Sequence, residues 1–213
     1  MDRLWLRQVG AISGLSVVST HFVSTLWKAL SSMDSQLEQQ LRELLDKQAI
    51  TELINAYCNA ADRHDHAKMQ ALYHPDAIDD HGHFAKGLAS EFIAKLPEIQ
   101  KAMAILHHNV TTINLKLDGD RAEGEVYILA FHQVKGENGL FDVLIGGRYF
   151  DKYEKRDGQW KFSHRAIVAD WAYPAEPSKV NMDHPFLSGA YIGKPGAVDP
   201  SYDFFSLFKR GEL

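Results

Sequence analysis

Apolar residues recur every three or four positions through the first half of the chain and every second position through much of the rest, so helices are expected first and strands after them. Leu37, Leu41, Leu44 and Leu45 mark a helix from Ser35 to Leu45. Asp46 offers the N-cap of a second helix, which carries Ile50, Leu53, Ile54 and Tyr57 and fades at Asp62-Arg63. Asp65 is suited to cap a short helix through Leu72, and His74-Pro75-Asp76 ends it, because proline disfavours helical geometry in the residue before it. Ala77 to Asp80 and Phe84 to Lys86 read as two short strands around the turn His81-Gly82. Ser90 then caps an expected helix from Glu91 to Ala104, with Phe92, Ile93, Leu96, Ile99 and Met103 as its buried stripe and a kink at Pro97.

From Leu106 onward alternation takes over. Strands are expected at about 106–117, 121–135, 140–154 and 159–172, joined at Asp118-Gly119-Asp120, at Gly136 to Gly139 and at Arg156-Asp157-Gly158. Gly146-Gly147 is a natural bulge or bend within the third strand. After Trp171 the chain turns irregular, rich in proline and aromatic residues, with one terminal helical turn expected within Ser201–Phe208. The expected organisation is therefore an extension of poor order at 1–34, a domain at 35–173, and an arm at 174–213 that packs on the domain or on a neighbouring subunit. Helices followed by a meander of long strands make an α+β fold, a curved antiparallel or mixed sheet wrapped around N-terminal helices as a cone-shaped barrel. Its default binding site is a hydrophobic pocket between sheet and helices.

Charge narrows the partners. The 28 acidic and 23 basic residues interleave to a net charge of -5, with no basic block, so a small molecule is expected as partner and nucleic acid is not. No run of about eighteen apolar residues reads as a membrane span. Cys58, the only cysteine, excludes an intramolecular disulfide and a CxxC motif, which fits a reducing, cytoplasmic setting. Residues 1–32 have a composition reminiscent of a targeting peptide, broken by Gly10, Ser13 and Ser16, and an extension or an over-long start is the preferred reading.

The candidate chemistry lies in Tyr57, Asp62 and the pair His107-His108. A phenol, a carboxylate and an imidazole suffice for proton transfer without a metal. Five helical steps turn about 140°, so Tyr57 and Asp62 border one pocket only if the helix end projects into it. A carboxylate at a helix C-terminus is disfavoured by the dipole, so another group should favour Asp62. Alternation puts Leu106, His108, Val110 and Thr112 on one face and His107, Asn109, Thr111 and Ile113 on the other, and periodicity does not choose between them. His132 and His164 lie on later strands as candidate pocket residues. Arg148 is open to two readings, a ligand contact or a salt bridge to an acid such as Asp62 or Asp170. Trp160 and Trp171 are expected on the packing face. His64, His66, His74, His81 and His83 show no ligand spacing, and neither a metal nor another cofactor is expected.

The order of elements, with Ile50–Asp62 running into Arg63-His64-Asp65, Tyr73-His74-Pro75-Asp76-Ala77, Asp79-Asp80-His81-Gly82, Leu117 to Ala122, Gly146-Gly147-Arg148-Tyr149, Trp160 and Asp170-Trp171, resembles the SnoaL-like branch of the nuclear transport factor 2-like superfamily over roughly residues 36–172. The resemblance implies the cystatin-like form of the α+β cone. Scytalone dehydratase, bile-acid 7α-dehydratase and hexachlorocyclohexane dehydrochlorinase in that branch use a strand histidine as base, oriented by an aspartate at the end of the core helix. Counting along the motifs, these fall on His108 and Asp62. The dehydratases' tyrosine falls on Tyr57, where the dehydrochlorinase has lysine, and Arg148 matches an arginine that lines the pocket in several relatives. Thr112 departs from the asparagine that many members carry. The resemblance implies a cofactor-independent lyase or isomerase, foremost a dehydratase acting on a small hydrophobic ring-containing molecule, and a homo-oligomer, with a trimer favoured over a dimer. The alternatives are a non-catalytic ligand- or protein-binding module of the same fold, or the small subunit of a ring-hydroxylating oxygenase.

Overall fold

Leucine, alanine, glutamine and glutamate dominate the stretch before Asp62, and all are strong helix formers, so nothing in it favours a break. In the computed structural model, which describes residues 18–213 and side chains from residue 24, α1 runs unbroken over Val18–Asp62. Part of the expected extension, residues 1–17, lies outside the described residues. Asp46 is not the expected cap. Its carboxylate instead accepts from Lys155 Nζ at 2.7 Å and Trp160 Nε1 at 2.8 Å, tertiary partners that a local reading does not see. The chain divides into two compact units, residues 1–45 and 46–213. In the first, Leu30, Met33, Leu37, Leu41 and Leu44 form an exposed apolar stripe. No helix among the described residues is long and apolar enough to cross a membrane.

The second unit holds everything that follows. After α1 come α2 (His66–Ala71), β1 (Tyr73–Asp80), β2 (Lys86–Leu88), α3 (Ala89–Ile99) and a 3-10 turn at Gln100–Ala102. Asp65 caps α2 as expected, accepting from the Lys68 backbone N–H at 3.1 Å. Leu88, not Ser90, occupies the N-cap of α3 and makes no side-chain capping bond. Pro97 lies inside α3, where it has no N–H to give the Ile93 carbonyl, and the helix ends two residues later. Four long strands complete the sheet: β3 (Met103–Asp118), β4 (Arg121–Gly136), β5 (Gly139–Arg156) and β6 (Gln159–Ala175).

The strand order is β2-β1-β6-β5-β4-β3, antiparallel throughout except that β1 runs parallel to β6. The result is an α+β unit with a curved mixed sheet. Its inner face packs Val126, Ile128, Tyr149 and Phe162 against Ile50, Leu53 and Ile54 of α1 and Phe92, Ile93 and Leu96 of α3.

Of the register shifts in the sheet, three bear on which candidate side chains face that core. On β3 the register skips Thr111, so His108 and Val110 point inward and the inward set continues at Ile113, Leu115 and Leu117, not at Thr112 as strict alternation would have it. On β6 it skips Ser163, so Phe162 and then Arg165 point inward and His164 outward. The third falls at Gly146-Gly147, as the glycines predict, with Asp170 as the extra residue opposite. A Cβ on Gly146 would come within 2.1 Å of the Trp171 ring, and one on Gly147 within 2.4 Å of the Val168 carbonyl oxygen, so both positions require glycine. Trp160 is buried as expected, whereas Trp171 lies half exposed over Gly146.

Beyond β6 the arm is irregular, with 3-10 turns at Pro185–Leu187 and Gly196–Val198 and the short α4 at Ser201–Phe204. Polar bonds hold it to the end of α1. Arg63 bonds Asp199 at 2.8 Å, Arg210 Nη1 donates to the Arg63 carbonyl at 3.0 Å, and the Gly211 N–H donates to Asp65 at 2.7 Å.

Candidate active site

The end of α1 is fixed from both sides. The Asp65 N–H reaches back to the Ala60 carbonyl at 2.8 Å and the His64 N–H to Ala61 at 3.2 Å, a closure with a left-handed residue at its turn. That residue is His64, at φ 50, where glycine is usual. The arm contacts at Arg63, His64 and Asp65 hold this turn, and Asp62 is the residue just before it.

Asp62 is 8% exposed and faces β3. The His108 backbone N–H lies 3.2 and 3.1 Å from its two oxygens, and His108 Nδ1 lies 2.6 Å from Oδ1. These donors are what favours a carboxylate at the unfavourable end of a helix. A carboxylate only accepts, so Nδ1 donates in this bond, and in the neutral tautomer that the bond selects Nε2 is the acceptor. Nε2 has no hydrogen bond to any described residue.

His132 stands beside the pair, its ring edge-on to His108 with centroids 5.5 Å apart. The geometry is the diagonal relation across β3 and β4, in which His108 pairs with Ala130 and Leu106 with His132. Burial first, and then the nearby His108, push the His132 pKa down to about 4, so it is a neutral imidazole at pH 7.

Tyr57 is not with them. It lies in the core, edge-on to Tyr73, Tyr149 and Phe162, with the Arg165 guanidinium 4.0 Å from its ring centre, and burial raises its hydroxyl pKa. It makes no hydrogen bond or ring contact with Asp62 or His108.

Arg148 and His164 are not brought to the pair either. Arg148 shares the outer face of the sheet with Tyr127 and Phe150, bonds Asp170 through Nε and Nη2 at 3.0 and 2.8 Å, and reaches Glu125 at 2.7 Å. Of the two readings left open by the sequence, the salt bridge to Asp170 is the one the structure contains. The Ser163 bulge turns His164 outward, where it borders a groove with Phe150 and Lys152.

The arginine that does face the core is Arg165, 0% exposed, bonded to Asp151 through Nε at 2.8 Å and Nη2 at 2.7 Å and stacked on three aromatic rings. Sequence reasoning missed it because alternation counted from Phe162 assigns it to the outer face.

Beside the pair is a recess of about 340 Å³ lined by Asn55, Cys58, Asn59, Arg63, His107 and Asn109, among others. This lining is mostly polar. Among the described residues no three histidine, cysteine, aspartate or glutamate side chains are grouped as metal ligands would be.

A mixed sheet curved over a helix, with a histidine–aspartate pair joining the helix end to the first long strand, defines the class: an α+β domain of the nuclear transport factor 2-like type. The SnoaL-like domain family matches residues 42–166, and the chain belongs to that family. Solved structures agree on the fold. A candidate scytalone dehydratase from Novosphingobium aromaticivorans is 22% identical, with a TM-score of 0.56 over 62% of this chain and 88% of that one. The hexachlorocyclohexane dehydrochlorinase LinA-type3 from Novosphingobium barchaimii is 21% identical, with a TM-score of 0.61 over 67% and 99%. A protein of unknown function with a cystatin-like fold from Nostoc punctiforme is 20% identical, with a TM-score of 0.50 over 59% and 92%. A search of curated proteins returned no match.

Proposed function

We propose that the protein is a cofactor-independent lyase, foremost a dehydratase, acting on a small ring-containing molecule with a hydroxyl β to a carbonyl. The observation that carries this reading is the 2.6 Å Asp62–His108 bond, which engages Nδ1, while Nε2 bonds no described residue and is the nitrogen free to accept a proton. Nε2 takes the proton α to the carbonyl, and Asp62 stabilises the imidazolium that forms. The carbonyl oxygen gains negative charge at that moment and needs a donor. The resemblance implies Tyr57 for that task. His132, neutral and 5.5 Å from the base between ring centres, is the better placed group. The imidazolium then returns its proton to the departing hydroxyl, so water leaves and the base is regenerated. The family membership and the dehydratase and dehydrochlorinase among the structural neighbours support elimination chemistry.

The test is incubation in D2O with a panel of cyclic β-hydroxyketones, reading α-deuteration and loss of water by NMR. Turnover is expected for at least one, and its survival in His108→Ala would sink the assignment. Exposed Tyr127, Leu129, Phe150 and Trp171 on the outer face of the sheet support a homo-oligomer, with a trimer as the proposal. Light scattering on the purified chain at three times the 24.0 kDa monomer mass is the expected result.

A further inference from the structure

Lys68, on α2, is 8% exposed, yet its ammonium group has one partner, the neutral Oδ1 of Asn59 at 3.2 Å. A buried cation is expected to be matched by a carboxylate, because desolvation without a counter-charge is costly. None of the described carboxylates forms an ion pair with it.

Lys68 and Asn59 line a cleft of about 620 Å³, within the size range of small-molecule sites. Its walls are otherwise largely apolar. Leu53, Leu72 and Trp160 come from the domain, and Leu207, Phe208 and Leu213 from the C-terminal arm. The acidic side chains of the cleft have other partners: Glu52 accepts from Gln48 at 2.9 Å, and Glu212 lies 3.9 Å from Lys209, an exposed second cation on the same cleft.

We propose that this cleft binds an amphiphilic monocarboxylate, with its head on Lys68 Nζ and its apolar body between Trp160 and the arm residues Leu207 and Phe208. One buried lysine matches one negative charge. A phosphate monoester would bring close to two, with Glu52 and Glu212 on the same cleft, and is disfavoured. The cleft borders the recess beside the histidine–aspartate pair through Asn55 and Asn59, but its lysine does not touch the pair and the proposal does not depend on the catalytic reading.

The test is calorimetric titration of the full chain with sodium decanoate, decanol and decyltrimethylammonium. Saturable 1:1 binding of decanoate is expected, at least tenfold tighter than either of the others. Lys68→Met keeps the apolar stem and should erase the preference for decanoate over decanol, while raising the melting temperature of the unliganded chain. Asn59→Asp supplies an internal carboxylate and should weaken decanoate binding at least tenfold. Equal affinity for decanoate and decanol, no decanoate binding, or a preference that survives Lys68→Met would overturn the proposal.

Discussion

The protein contains two histidine–aspartate contacts of nearly equal length that differ in alignment. His108 Nδ1 is 2.6 Å from Asp62 Oδ1, and His81 Nε2 is 2.7 Å from Asp79 Oδ1. The first is an aligned hydrogen bond reinforced by the His108 backbone N–H. The second is a close approach without hydrogen-bond alignment: both atoms are buried and lack a hydrogen-bond partner. Asp79, 1% exposed, spends its other oxygen on the Tyr73 hydroxyl at 2.6 Å, and the His81 ring lies against Phe92 with centroids 4.2 Å apart. Distance alone does not identify a proton-transfer pair. Alignment separates the two, and only the Asp62–His108 contact has it.

The largest expected effect would break this contrast if it failed. His108→Ala should cut turnover about a thousandfold, some 4 kcal/mol of transition-state stabilisation, with little change in melting temperature. His81→Ala should leave turnover per folded molecule within about threefold, a change worth under 1 kcal/mol. Next in size, Asp62→Asn should lose on the order of a hundredfold in turnover with binding retained, because the amide cannot stabilise the imidazolium as a carboxylate does. In the other pair, Asp79→Asn should cost roughly 1–3 kcal/mol in chemical denaturation and leave the rate unaltered, since it disturbs a buried polar contact and not the base.

A subtler effect concerns His132. Its pKa falls from the ordinary 6.5 to about 4 in the folded chain. The unfolded chain therefore takes up this proton at a higher pH than the folded chain does. The corresponding stability is present above pH 6.5 and lost as pH falls from 6.5 through about 4. The unfolding free energy from chemical denaturation should fall over that window by on the order of 2 kcal/mol more in the wild type than in His132→Gln. Parallel pH profiles for the two would show that His132 is not held neutral by burial.

Much of this was legible along the chain. The four long strands fall within a few residues of their expected ends, because turn chemistry at Asp118-Gly119-Asp120 and Arg156-Asp157-Gly158 and the alternation between them are local signals. His108 and Asp62 were found through their places in the resembling motif, and the structure joins them. Other assignments failed for identifiable reasons. Asp46 reads as a cap until Lys155 and Trp160, more than a hundred residues away, take its carboxylate. Tyr57 reads as a catalytic phenol until Arg165 and three aromatic rings close around it.

By itself, then, the sequence determined the element types, the long strands and their turns, and the two residues of the aligned pair. Only the tertiary structure decided which side chains face inward. One extra residue in a strand reverses every later assignment, and nothing local distinguishes Thr111 or Ser163 as that residue. The partner strands set those bulges. They carry Arg165 into the core in place of His164, leave Arg148 on the outer face bound to Asp170, and hold His108 against Asp62 with His132 alongside.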